Sequence, residues 1–334
     1  MSVPKITAVG LAALVAALAW TMLAQATPGG ARGKIAFARY RFVDNPLRRE
    51  IWVSNPDGTG LRRVSKAPAN VVDSSPSWSP DGKRLVFTRC STDESAGCTV
   101  WAVNADGTGQ HELSTSCPDM HSSSCIGDDG AAYSPDGHWV VYNHGDLSEI
   151  AIANPDFRDV HAFPVPAATP DVGAFAWSPN GRRIAFEARN DTRSAVFIVN
   201  TDGSHLRRLT PWRLKAYDGD QIDWSANGAR ILFRSTTSEP QGALPPDGDI
   251  YAIRPDGTHL RRLTHLPRGS GLELGSFSPN GKWIVFATTA GATPKGSFLG
   301  RWPDIFRMRI DGTGRVPVTR TRNWEGAPTW GKAR

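Results

Sequence analysis

The chain has 334 residues, of which 21% are charged and 40% apolar, a balance that excludes a disordered or fibrous protein. Its 33 Gly and 25 Pro suit a turn-rich all-β fold. The net charge of +6 admits acidic partners, but no concentrated basic stripe accompanies it, so no nucleic acid is expected as a partner.

The first predicted element is a leader. Lys5 precedes an apolar run over 6–23, and Ala24-Gln25-Ala26 is a small-residue cleavage site. A run of 18 residues is borderline for a membrane span, so an uncleaved anchor is the rival reading. The expectation is a signal peptide over 1–26, a short linker over 27–32 and one folded domain over 33–334. After cleavage no stable membrane span is expected. The protein would be exported: periplasmic, at the cell surface or secreted.

From residue 33 onward one pattern recurs. "SWSPDGKRLVF" (77–87) returns as "AYSPDGHWVVY" (132–142), "AWSPNGRRIAF" (176–186), "DWSANGARILF" (223–233) and "SFSPNGKWIVF" (276–286). Each reads as a strand ending in an aromatic, a tight turn and a second strand. Pro sets φ, Asp or Asn tolerates the next position, and Gly accepts positive φ. A second half follows, as in "EIWVSNPDGTGLRRVS" (50–65) and "DIYAIRPDGTHLRRLT" (249–264): an apolar strand, an Asp-Gly turn and a short Arg-rich strand. The copy over 149–163 carries Phe157 where the others carry the turn Gly.

Successive aromatics lie 44–55 residues apart, a period that means blades or solenoid turns. Four strands per unit, A to D, predict a six-bladed β-propeller of four-stranded antiparallel blades. The chain starts at strand B of blade 1 (33–37), and strand A at 326–330 supplies the missing member. The C-terminal strand would therefore pair into the first blade and remove the open edge. Trp78, Tyr133, Trp177, Trp224, Phe277 and Trp330 end the six A strands and are expected to pack between blades. Stacking on a ligand is their alternative use.

The repeat resembles the TolB family of β-propellers, whose WD-like signature is this Ser-Pro-Asp-Gly turn. The resemblance covers 33–330 and the propeller only. It implies a binding module of the cell envelope. Prolyl-oligopeptidase-type enzymes also carry such propellers, but no G-x-S-x-G occurs here.

Strand alternation puts the short A–B and C–D turns on one end of the ring. The B–C and D–A connections, which carry the length variation, lie on the other, where binding is expected. Four Cys allow three pairings; Cys90–Cys98 and Cys117–Cys125 are favoured because each closes a short loop. A zinc site would want shorter gaps. Four to six residues before each aromatic stands an acid: Asp73, Asp128, Asp171, Asp218 with Asp220, Glu273 and Glu325. They are expected at one mouth of the channel, where they would bind a cation or basic peptide, or else cap the strand entry. No cofactor is required on this reading, and Ca²⁺ in the channel is the candidate ion.

Arg62-Arg63, Arg207-Arg208 and Arg261-Arg262 on the D strands would guard the outer edges or bind an anionic cell-wall polymer at the rim. His121, His144 and His265 fall at the loop end with no ligand spacing. The expectation is a monomeric, non-catalytic module that binds an envelope or extracellular protein. The alternative is a metal-assisted lyase or hydrolase acting on a glycan in the channel.

Overall fold

The computed structural model describes residues 33–40, 48–92, 97–114, 128–144, 149–165, 171–190, 194–214, 221–236, 248–292 and 302–332. The leader, the linker, the Cys117–Cys125 pair and most of the loops at the variable end lie outside the described residues. No described helix is long and apolar enough to cross a membrane.

The repeat builds one blade per copy; among the described strands blades 1 and 2 are joined into one eight-stranded sheet, and blades 3 to 6 are separate four-stranded sheets. Blade 1 begins with β1 (Lys34–Tyr40), β2 (Arg48–Ser54) and β3 (Arg62–Arg63). Blade 2 is β4 (Val71–Trp78), β5 (Arg84–Ser91), β6 (Cys98–Asn104) and β7 (His111–Glu112). Blade 3 is β8 (Asp129–Tyr133), β9 (Val140–His144), β10 (Glu149–Ala153) and β11 (Val160–Pro164). Blade 4 is β12 (Asp171–Trp177), β13 (Arg183–Arg189), β14 (Ser194–Asn200) and β15 (Arg207–Arg208). Blade 5 is β16 (Asp223–Trp224), β17 (Ile231–Thr236), β18 (Gly248–Ile253) and β19 (Arg261–Arg262). Blade 6 is β20 (Leu272–Phe277), β21 (Trp283–Thr288), β22 (Asp304–Arg309) and β23 (Val316–Pro317).

The last strand, β24 (Trp324–Gly331), pairs antiparallel with β1, placing Ile35 opposite Trp330 and Arg39 opposite Glu325. Strand A of blade 1 thus comes from the far end of the chain. The only parallel pairing among the described strands joins Arg48 and Arg49 of β2 to Val71 and Val72 of β4.

The turns show why their residues recur. In the A–B turn of blade 2, Ser79 Oγ accepts from Arg84 N at 2.9 Å and donates to Asp81 Oδ1 at 2.7 Å, and Asp81 Oδ1 accepts from Lys83 N at 3.0 Å. Ser134, Ser178, Ser225 and Ser278 make the same pair of bonds. In the C–D turns, Asp57 Oδ1 accepts from Thr59 N and Thr59 Oγ1, as do Asp106, Asp256 and Asp311 from the Thr two residues on. These bonds hold all four carboxyls below the usual range.

The Ser or Thr that ends strand D recurs for a similar reason. Ser65, Ser114, Thr210, Thr264 and Thr319 each accept from a strand-C backbone N–H, at 2.8–2.9 Å. Each therefore ties the outermost strand to its neighbour where the D strand is only two residues long.

The core is divided among the blade interfaces. Leu85 and Phe87 of blade 2 pack with Ala36 and Val53 of blade 1, and Trp78 sits among them. Trp177 lies between blades 3 and 4, Trp224 between 4 and 5, Phe277 between 5 and 6, and Trp330 between 6 and 1. Tyr133 packs at the edge of the cluster between blades 2 and 3. Gly331 is required for this packing at the closing strand: a Cβ there would stand 2.3 Å from the Trp78 ring.

The outer rim is stapled by arginine. Arg62 donates to Ala105 O, Arg207 to Pro255 O and Arg261 to Asp311 O, each carbonyl in the C–D turn of the next blade. The second Arg of each pair turns to its own blade. Arg63 meets Glu50 at 3.1 Å, Arg262 meets Asp249 at 2.5 Å, and Arg208 lies over the Trp212 ring.

Candidate functional site

The acids that precede the aromatics are placed by the inner strands, and Asp73, Asp128, Glu273 and Glu325 each meet a different partner. Asp73 is fully buried opposite Arg89; Arg89 Nε and Nη2 donate to its two oxygens at 2.7 and 2.9 Å, and Ser65 Oγ donates at 2.5 Å. Glu325 is buried opposite Arg39, whose Nε lies 3.4 Å away, and it accepts from Thr319 and Thr321. Burial nevertheless pushes the Glu325 carboxyl up to about 7. Asp128 is buried with His144 Nδ1 at 3.0 Å.

Glu273 is buried and accepts from Ala327 N at 2.7 Å. Gly326 makes that approach possible, since a Cβ there would fall 2.0 Å from the carboxylate. Asp171 opens β12, opposite Arg189. Asp218 and Asp220 lie outside the described residues. For Asp73 and Glu325 the counter-charge thus comes from strand B of their own blade. Among the described residues no three His, Cys, Asp or Glu gather into a metal-holding group. Cys90 and Cys98 form a disulfide that bridges β5 and β6 where the B–C connection of blade 2 begins.

A different group of residues meets at the axis. A cavity of about 470 Å³ is lined by the C-terminal halves of the inner strands and by the Ser-Pro turns. It therefore lies toward the short-turn end of the ring, opposite the variable loops. All six strand-A aromatics contribute to its wall, as do the six residues that precede them: Ser77, Ala132, Ala176, Asp223, Ser276 and Thr329. The inner strands reach it through bulges. Ser75, Ala174 and Ala327, each three residues before its aromatic, hold φ of 49°, 51° and 46°, and the strand registers shift there.

Two of these six residues stitch blade to blade. Asp223 Oδ2 accepts from Phe277 N at 2.7 Å, and Ser276 Oγ accepts from Trp330 N at 2.8 Å. The position before one aromatic therefore holds the backbone of the next. Asp223 is the only acid in the wall among the described residues. Burial pushes its carboxyl up to about 7, although the N–H groups of Phe277 and Trp224 pull the other way. A search four to six residues upstream of the aromatics misses Asp223. The available signal is that, of the six copies, only "DW" puts a charge directly before the aromatic.

Comparison with known proteins agrees with this architecture. The structure of TolB from Acinetobacter baumannii superposes with a TM-score of 0.64 at 18% identity, covering 90% of this chain and 67% of that one. A TolB homologue of Chlorobium luteolum is 34% identical over 123 residues. The propeller is of the TolB type. Dipeptidyl-peptidase 5 of Porphyromonas endodontalis is 28% identical over 151 residues. These matches cover 36% and 43% of this chain but only 24% and 19% of the Chlorobium and Porphyromonas proteins, so the likeness reaches about a quarter of their length or less. No protein-family profile matches the chain.

Proposed function

We propose that the protein is an exported TolB-like module that binds a protein partner of the cell envelope through the end of the ring carrying the B–C and D–A connections. The observation that carries this reading is the asymmetry of the ring. At one end the turns are built to a single hydrogen-bonded pattern in five blades, which leaves little room for specificity. The other end varies in length from blade to blade, on strands held rigid by shared cores and by the Cys90–Cys98 bridge. The TolB likeness supports a partner in the envelope.

A photo-crosslinking amino acid separates the two ends. Thr92 is exposed where β5 leaves the ring at the variable end, and Lys83 is exposed in a Ser-Pro turn at the other. Probes at Thr92 should capture one discrete protein from intact cells, and probes at Lys83 should not. Capture from Lys83 alone, or recovery of the protein from the cytoplasm with its leader intact, would refute the proposal.

A further inference from the structure

We propose that the axial cavity is a binding site for a small organic amine, its ammonium head against Asp223 and its apolar body against blades 3 and 4.

The wall is sorted by character. Four consecutive blades, 5, 6, 1 and 2, present Asp223, Ser276, Thr329 and Ser77 at the position before the aromatic. The remaining two, blades 3 and 4, present Ala132 and Ala176, and the apolar arc continues into Pro135 and Pro179 of their turns. At the level just before the aromatics, one side of the cavity is thus hydroxylic with a single acid and the other is alanine; nearer the turns the wall is mixed, with Pro80 and Pro279 on the first side and Ser134 on the second. The volume of about 470 Å³ falls within the range of small-molecule sites. A cation with an apolar body satisfies both sides at once. It supplies a counter-charge for Asp223. An anion would meet the Asp223 carboxylate, and a neutral polyol would leave that charge uncompensated in a poorly solvated place.

The groups facing Asp223 agree with this assignment. Its described partners are the backbone N–H groups of Phe277 and Trp224. Lys332 is the other charged residue of the wall; it is exposed on the strand end of blade 1 and forms no ion pair with Asp223 among the described contacts. Tyr133 stays neutral, since burial pushes its phenol up to about 12. Ser276 Oγ is held in place by Trp330 N. Binding should therefore need the ionised form of Asp223. With that carboxyl near 7, the ionised fraction and the affinity should rise roughly tenfold from pH 6 to pH 8.

Isothermal titration of the mature chain with 2-phenylethylammonium tests this, with 3-phenylpropan-1-ol and 3-phenylpropanoate as neutral and anionic counterparts. The amine alone should bind, more tightly at pH 8 than at pH 6. Asp223→Asn should weaken it at least about tenfold and abolish the pH dependence. Ala132→Leu, which leaves the acid in place and fills the apolar arc, should weaken the amine at every pH. The proposal is overturned if the alcohol or the carboxylate binds as well as the amine. It is equally overturned if the parent gives no heat up to about 10 mM amine, or if both variants bind like the parent.

Discussion

Replacing Asp223 by asparagine should stabilise the protein above neutrality and leave it unchanged in acid. In the unfolded chain this carboxyl titrates near 3.8, and in the fold near 7. The fold therefore binds the proton more tightly than the unfolded chain does. Its contribution to stability is fully present below about pH 4, declines as the pH rises toward 7, and is absent above that. At 1.36 kcal/mol per pH unit over about three units, the full penalty on the ionised form approaches 4 kcal/mol.

The asparagine side chain would still accept the Phe277 N–H through its amide oxygen, but it would lose the charge assistance in that bond. A net gain of about 2 kcal/mol at pH 8 is the reasonable expectation. Urea denaturation of parent and variant at pH 4, 6 and 8 measures it. Glu325 also titrates near 7, but both proteins contain it, so the difference between them isolates residue 223. A gain of equal size at pH 4 and pH 8, or a variant less stable at pH 8, would refute the reasoning.

Asp73→Ala should be far more damaging than an average surface change. It leaves the Arg89 guanidinium buried without its carboxylate, a loss of about 3–5 kcal/mol, readable as a fall in the urea midpoint at constant m. Deleting 325–334 removes most of β24, exposes the edge of β1 and empties the Trp330 site between blades 6 and 1. Calorimetry and light scattering should show lost cooperativity or association, and a monomer as heat-resistant as the parent would contradict ring closure. Reducing Cys90–Cys98 should lower stability by roughly 2.5 kcal/mol at neutral pH, the value for closing a loop of about nine residues, measured by thermal melts with and without reductant.

The local chemistry of the repeat was legible in the sequence because its causes are local. Ser-Pro-Asp-Gly and Asp-Gly-Thr each make their bonds within six residues, as Ser79 with Asp81 and Arg84 illustrates. The period of the aromatics and the missing first A strand together implied a ring closed by its last strand, since an unpaired edge on each side of the gap can be satisfied only there. The partners of the acids were not legible in the same way. Asp73 and Arg89 stand 16 residues apart and meet only through strand register. The bond from Phe277 N to Asp223 spans 54 residues and depends on how one blade is rotated against the next. Which end of the axis holds the cavity, and that one carboxylate faces it among hydroxyls and alanines, are facts of inter-blade packing. No pattern along a single repeat encodes that packing, because each wall position takes its meaning from five neighbours supplied by other blades.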